Sequence, residues 1–131
     1  RVGFAAASQF VFSQHCKAAR NAGLSEQKVA AIPAWSVADV YTPGERAVLA
    51  YTDDLVLAGG RVQDDTYKAL REELSETAVI ELTYAVAMYQ LHATMCRALR
   101  LEFDDVDERI VEVAAPTDGD QDVMGAISMQ D

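Results

Sequence analysis

The sequence places a histidine directly before a cysteine, His15 and Cys16, inside a stretch that is otherwise rich in alanine and apolar residues. An imidazole titrates near neutral pH, so it can remove or return a proton during a reaction. A thiolate can attack an electrophile or bind a metal ion. The pair could therefore be a catalytic couple, half of a metal site, or two ordinary helix residues.

Helical geometry separates the two side chains of this pair. Neighbouring residues on a helix point in directions about 100° apart, so we expect Cys16 to face away from the stripe formed by Ser8, Val11 and His15. Free cysteines are among the residue types most often buried, and Cys16 is therefore interpreted as a packing residue. On composition alone, His15 is equally ordinary, a helix histidine packed against alanine and phenylalanine.

A second histidine and cysteine, His92 and Cys96, stand four residues apart and would share one face of a helix. Residues of metal-ligating type are thus present in two places. The sequence nevertheless contains neither a Cys-x-x-Cys nor a His-x-x-x-His pair, the spacings that zinc sites usually show. We therefore predict no metal site and no cofactor, and Cys96 is kept with Cys16 only as an alternative reactive thiol.

Local capping signals divide the chain up to about residue 100 into five predicted helices. Ser8 is taken as the start of the first helix, and three residues are placed to cap helix N-termini, namely Ser25, Thr42 and Ser75. Gly23, Pro33 and the Gly59–Gly60 pair are placed to end helices. The predicted spans are about 8–22, 25–33, 42–58, 64–73 and 76–99. Because no convincing alternation of a strand precedes the C-terminal tail, we predict an all-α domain.

Composition excludes several classes of partner. The chain has 131 residues and a formal net charge of −10, so it repels nucleic acid and anionic membrane surfaces. Two cysteines do not make a disulfide framework, and nothing resembles a signal peptide, so a cytoplasmic location is expected. The helical pattern begins close to Arg1, and we expect further residues upstream.

The fifth predicted helix is apolar on nearly every side, which favours a homo-oligomer, a dimer, trimer or hexamer, over a monomer. Charged and polar residues interrupt it, so it is not expected to span a membrane. An acidic run follows Phe103, and the segment "RIVEVAAP" could be extended. We predict one helical domain over residues 1–115 and a loose tail or inter-subunit arm over residues 116–131.

The run "SQFVFSQH", followed by "KAARNAGLS", resembles the carboxymuconolactone decarboxylase/alkyl hydroperoxidase D (AhpD)-like family. That family has a helix carrying Cys-x-x-Cys-x-x-x-His, then Ala-Arg, Gly-Leu-Ser and a second short helix. The segments "GERAVLAYTDDLVL" and "YKALREELSETAVIELTYAVAMYQLHATMCRAL" resemble its helical second half. The resemblance covers about residues 1–103. It implies an AhpD-like domain of five to six helices that forms oligomers.

The departures from this family pattern decide which activity it implies. Ser8 and Val11 stand where the two redox cysteines would be, and only His15 matches a catalytic position. A two-cysteine peroxide reductase needs one thiolate to attack and a second thiol to resolve, and neither serine nor valine can replace them. The glutamate of the family's proton relay would precede Arg1. Members that lack the cysteine pair but keep the histidine include carboxymuconolactone decarboxylases, which act on small acidic lactones without a cofactor.

The resemblance therefore makes His15 the leading functional residue, as a general acid or base. We expect it to face a pocket with Ser8, Val11, Phe12 and Trp35. Three tyrosines could also line this pocket, although aromatic residues at such spacings are more often core residues, namely Tyr41, Tyr84 and Tyr89.

Three functions are compatible with this reading. The leading one is a carboxymuconolactone decarboxylase-like enzyme, acting without a cofactor on a small carboxylated or lactone-type substrate. The second is an AhpD-like thiol-dependent hydroperoxide reductase. The third is a non-catalytic oligomeric scaffold or binding protein. A cleft with converging polar groups at His15 would favour an enzyme, and a solid apolar wall would favour the scaffold.

Overall fold

The computed structural model describes residues 1–101, and this part of the chain is helical and contains no strand. It has six α-helices and one 3-10 segment. Their bounds are α1 Val2–Ala5, α2 Gln9–Asn21, α3 Glu26–Ala31, the 3-10 segment Ile32–Val37, α4 Pro43–Leu57, α5 Asp64–Glu73 and α6 Glu76–Ala98. The predicted all-α class is confirmed. The segment "RIVEVAAP", the boundary at residue 115 and the tail over residues 116–131 lie outside the described residues.

The three predicted N-terminal caps, Ser25, Thr42 and Ser75, are formed by side-chain oxygens that accept a backbone N–H, and Ser8 caps α2 in the same way. The hydroxyls of Ser8, Ser25 and Ser75 each accept from the amide three residues later. Thr42 and Glu45 form the predicted capping box, with hydrogen bonds in both directions. Gly23 has a φ of 90°, a left-handed conformation that glycine adopts without steric cost, where α2 ends.

Two short elements depart from the sequence prediction. Helix α1 was not predicted, because its four residues carry no side-chain cap and no apolar period. The helix expected to end at Pro33 ends instead at Ala31, and the chain continues as a 3-10 segment across the proline. Proline is tolerated at the start of a helical turn, since the N–H it lacks would have no partner there.

Helix α6 is the central element, since it packs against α1, α2, α4 and α5. It contributes to two apolar clusters. The first, called here the α5 cluster, contains Ala47, Tyr51, Leu70 and Val79, surrounded by five partly buried aliphatic side chains. The second, the α2 cluster, contains Val11, Ala93 and Cys96.

The length and composition of these helices bear on membranes. Among residues 1–101, no helix is long and apolar enough to cross a bilayer. Helix α6 has the length, at 23 residues, but its charged and polar side chains lower its mean hydropathy.

Candidate functional site

A cavity of about 470 Å³ lies between α1, α2 and α3 and beside α6. This volume falls within the range of small-molecule sites, roughly 300–1,000 Å³. Its wall is mostly aliphatic and aromatic, and it includes the side chains of His15, Cys16, Tyr89 and Arg1. The remaining lining residues are Val2, Gly3, Val11, Phe12, Ala18, Ala19, Ala22, Leu24, Val29 and Ile32.

Helix α1 closes one side of the cavity because its backbone lies directly on that of α2. A Cβ atom added to Gly3 would stand 2.5 Å from the Phe12 nitrogen and 2.7 Å from its Cα. Real Cβ atoms do not approach backbone so closely, so only glycine fits at this crossing. The close contact holds Val2 and Arg1 at the cavity wall.

The imidazole of His15 lies at the cavity and against α6. Its ring meets the ring of Tyr89 edge-on, with centroids 4.3 Å apart. Tyr89 in turn contacts His92 at 5.7 Å, also edge-on. Burial lowers the pKa of His15, and the nearby His92 acts in the same direction. The residue is still exposed on one side, so the ring reaches both the cavity and solvent.

Cys16 lines the same cavity as His15, and the expectation that it faces away is wrong. The cavity occupies a broad arc of the α2 surface, because three alanines leave space on the helix face next to Cys16. A separation of about 100° between adjacent residues therefore still leaves both on one wall. The thiol is partly buried and forms no disulfide.

Two of the four pocket candidates lie on the wall, namely Val11 and Phe12. Val11 is 5% exposed and connects the wall to the α2 cluster. Phe12 packs edge-on against Phe4 of α1, with ring centroids 5.6 Å apart. Ser8 does not belong to the lining: it is 1% exposed, and its hydroxyl accepts a hydrogen bond from the Val11 amide at 3.3 Å as the α2 cap.

Trp35 is also absent from the wall, and it serves a neighbouring polar network instead. Its indole Nε1 donates to Asp53 Oδ2 at 2.9 Å. The same carboxylate accepts two hydrogen bonds from Arg1, at 2.6 Å from Nε and 2.9 Å from Nη2. Arg1 Nη1 donates to the carbonyl oxygens of Ile32 and Pro33, both at 3.1 Å. The network ties the start of α1 to α4 and to the 3-10 segment.

Sequence reasoning missed Arg1 as a wall residue, and it left Tyr89 undecided among three tyrosines. Of these, Tyr89 alone lines the cavity. Tyr41 is buried and donates to the Lys28 carbonyl at 2.5 Å, while Tyr84 is 70% exposed. The sequence signal for Tyr89 is its spacing from Ala93. The two residues are four positions apart and so share one face of α6, and Ala93 on that face is buried against α2.

Cys96 is buried in the α2 cluster and does not reach the cavity wall. His92 is exposed on α6. The two residues that share a helix face are thus not joined with His15 and Cys16 into one site. Within residues 1–101, no group of three or more His, Cys, Asp and Glu side chains is arranged so that it could hold a metal ion.

Comparison with known proteins shows what this arrangement is similar to. The model of the Carboxymuconolactone decarboxylase family matches residues 1–54, the part that forms α1 to α3 and most of α4. A crystal structure of ATU0492 from Agrobacterium tumefaciens, a protein of unknown function described as a candidate antioxidant defence protein AhpD, superposes with a TM-score of 0.72. The two share 28% identity, over 76% of this chain and 69% of that one. Residues 1–54 are thus similar to the Carboxymuconolactone decarboxylase family, and the described fold is AhpD-like.

This AhpD-like protein is also similar to the uncharacterized protein YdfG of Bacillus subtilis (strain 168). The two are 31% identical over 78 residues, which cover 59% of this chain and 53% of YdfG. The match thus spans about half the length of that relative. The resemblance stated from the "SQFVFSQH" and "KAARNAGLS" segments is confirmed at the level of the family.

Proposed function

We propose that this AhpD-like protein is an enzyme that transfers protons on a small molecule held in the α1–α2–α3 cavity, with His15 as general acid and base. The observation that carries the proposal is the position of His15. Its imidazole is the titratable group of near-neutral pKa on the wall of an otherwise apolar cavity of ligand size. The open cavity at His15 differs from the solid apolar wall expected of a scaffold, and the imidazole is the group that supports an enzyme over a binding protein.

The protonation state of His15 suits the start of such a reaction. Because burial lowers its pKa, the imidazole is mostly neutral at pH 7 and can accept a proton. On a lactone-type substrate, it would take the proton from the carbon next to the carbonyl, leaving the C–H electron pair in an enolate. The imidazolium then returns that proton to a second carbon. The cycle is redox-neutral and restores the neutral ring.

The second candidate function rests on the position of Cys16. Its thiol lies on the same wall as His15, where a bound hydroperoxide could reach it. The thiolate would attack the outer peroxide oxygen, breaking the O–O bond and releasing an alcohol. The resulting sulfenic acid would need an external thiol for its reduction. We rank this function below proton transfer, because Val11 and Ser8 occupy the positions of the family's cysteine pair and Cys96 is buried elsewhere.

The assembly we propose is a homo-oligomer that covers α6. Four large apolar side chains recur along one face of this helix, namely Ile80, Tyr84, Leu91 and Met95, and each is 48–70% exposed. A stripe of this kind is usually covered in solution. Light scattering should give a mass above the 14.3 kDa of one chain, and Tyr84→Lys should lower it, while Leu57→Lys on α4 should not. A mass near 14.3 kDa that dilution leaves unchanged would refute the assembly.

A panel of lactones and organic hydroperoxides tests the proposed function. Product formation would be followed by mass spectrometry for wild type, His15→Gln and Cys16→Ser. We expect His15→Gln to lower turnover of a lactone by about 10²–10⁴-fold, and Cys16→Ser to change it little. Circular dichroism of both variants should match wild type, since neither residue belongs to the α5 or α2 cluster.

The same panel separates the alternatives. Hydroperoxide turnover that vanishes in Cys16→Ser would replace proton transfer with the thiol mechanism. Unfolding of His15→Gln would identify His15 as a core residue instead of a catalytic one. Absence of turnover in wild type across the panel would favour the binding protein.

A further inference from the structure

The one charged side chain among the described residues that line the cavity is already neutralised. Arg1 is that residue. Its side chain is 11% exposed, and the guanidinium forms a bidentate ion pair with Asp53, whose side chain is 20% exposed. Its Nη1 group is directed to the carbonyl oxygens of Ile32 and Pro33. Arg1 therefore contributes its aliphatic stem to the wall, while its charge is held by the protein.

Asp53 is held in turn by a second donor, so this arrangement is fixed. The Trp35 indole N–H donates to Asp53 Oδ2 at 2.9 Å, and Arg1 Nη2 donates to the same oxygen. For Arg1 to meet a substrate carboxylate, it would have to leave a partly buried bidentate partner, and Asp53 would lose its main counter-charge. Both changes are costly when the groups are shielded from water.

Among the described residues, no other cationic side chain replaces that of Arg1 on the wall. Arg20 and Lys28 belong to nearby helices, but they are paired with Glu26 and Glu45 and are not lining residues. The chain as a whole carries a net charge of −10 and so repels anions at a distance. His15 is mostly neutral at pH 7, because burial lowers its pKa.

We propose that the cavity selects an uncharged, predominantly apolar substrate, and that Asp53 determines this selectivity by neutralising Arg1. The inference rests on the proposed function and chooses between its two substrate types. It favours a lactone or related neutral carbonyl compound and disfavours a carboxylated one. Burying a carboxylate against this wall would leave it without a partner, and a buried charge that loses its hydration without gaining a partner is strongly unfavourable.

Two probes of nearly equal shape test the inference, cyclohexylacetamide and cyclohexylacetate. Binding would be measured by NMR titration at pH 7, and its location by protection of Cys16 from iodoacetamide, with the buried Cys96 as an internal control. We expect wild type to bind the amide at least about tenfold more tightly than the carboxylate. The amide should slow alkylation of Cys16.

Removing the counter-charge should reverse the preference. In Asp53→Asn, Arg1 lacks its compensating charge, so the affinity for cyclohexylacetate should rise at least about fivefold. The affinity for cyclohexylacetamide should change by less than about twofold. Asp54→Asn is the matched control, because it changes the net charge by the same amount at the adjacent residue. The Asp54 carboxylate accepts a hydrogen bond from the Gln63 backbone N–H. Asp54→Asn should leave both affinities unchanged.

Equal or tighter binding of the carboxylate by wild type would overturn the inference, and this comparison does not depend on the folding of any variant. It would leave the proposed function intact, since that is judged separately by His15-dependent turnover. Failure of cyclohexylacetamide to protect Cys16 would overturn the inference too, because the cavity would then not be a site for small apolar ligands.

Discussion

Two apolar clusters share helix α6, one toward its N-terminal half and one toward its C-terminal half. In the α5 cluster, Leu70 is completely buried, and aliphatic side chains from α4, α6 and the two loops that flank α5 surround the cluster. The α2 cluster is thinner, and its Val11 also forms part of the cavity wall. Helix α6 is thus held by dense packing at one end and borders open space at the other.

This difference separates the part that stabilises the domain from the part that can bind. Protein interiors normally have the packing density of organic crystals. A cavity of about 470 Å³ therefore means that the side chains around it lack packing contacts that a filled core would supply. Sites often keep such space at a cost in stability. The polar Arg1–Asp53–Trp35 network lies beside the cavity and compensates by tying α1 and the 3-10 segment to α4.

The largest effect on stability is expected in the α5 cluster. Leu70→Ala should lower the free energy of unfolding by about 2–5 kcal/mol, because Leu70 is fully buried and its truncation leaves a cavity. Urea denaturation measures this loss. Leu57→Ala, at a side chain that is 62% exposed, is the control and should cost less than about 0.5 kcal/mol. Equal losses would mean that the α5 cluster is not the stabilising core.

The next largest effect is expected in the polar network. Asp53→Asn should lower the free energy of unfolding by about 1–3 kcal/mol, because it removes the counter-charge of a partly buried arginine. Trp35 is the only tryptophan of the chain and donates to the same carboxylate, so its fluorescence should also change. Asp54→Asn should have less effect on both measurements. A greater loss of unfolding free energy in Asp54→Asn than in Asp53→Asn would show that the network does not hold α1 in place.

The same enlargement should have opposite effects in the two regions. Ala19→Leu adds a side chain into the cavity and should raise the free energy of unfolding by about 0.5–2 kcal/mol, while abolishing protection of Cys16 by cyclohexylacetamide. Ala47→Leu adds the same atoms to the α5 cluster and should cost about 1–3 kcal/mol. Thermal melts compare the two. Destabilisation by Ala19→Leu as large as that by Ala47→Leu would show that the cavity has no usable space.

The smallest effect is a pH dependence contributed by His15. Its folded-state pKa is lowered by burial, whereas the unfolded chain has a value of about 6.5. Between these two values the unfolded state binds more protons, so acidification below about pH 6.5 destabilises the fold. Urea denaturation from about pH 7.5 to about pH 5 should therefore show a greater loss for wild type than for His15→Gln. Identical losses would contradict the effect of partial burial on the His15 pKa.

Much of the fold was predictable from the sequence because helix ends are encoded locally. Ser25, Thr42 and Ser75 cap the helices for which they were proposed. The cavity was not predictable, since it depends on how α1, α2 and α3 pack. Helix α1 has no local signal, and its position depends on a backbone contact at Gly3.

The candidate site was predicted in part, because the sequence encodes the order of residues on one helix but not how the helices pack. His15, Val11 and Phe12 lie on the wall because the α2 helix itself sets their order. Cys16 and Trp35 were misplaced, because the breadth of the cavity and the position of Asp53 are properties of the packed domain.

An NMR titration of the His15 imidazole tests the central claim most directly, that this ring is a neutral base facing a ligand cavity. The account predicts a pKa below the ordinary value of about 6.5, and a further fall when cyclohexylacetamide fills the cavity and removes water from the ring. A His15 pKa at its ordinary value that the probe leaves unmoved would contradict the claim.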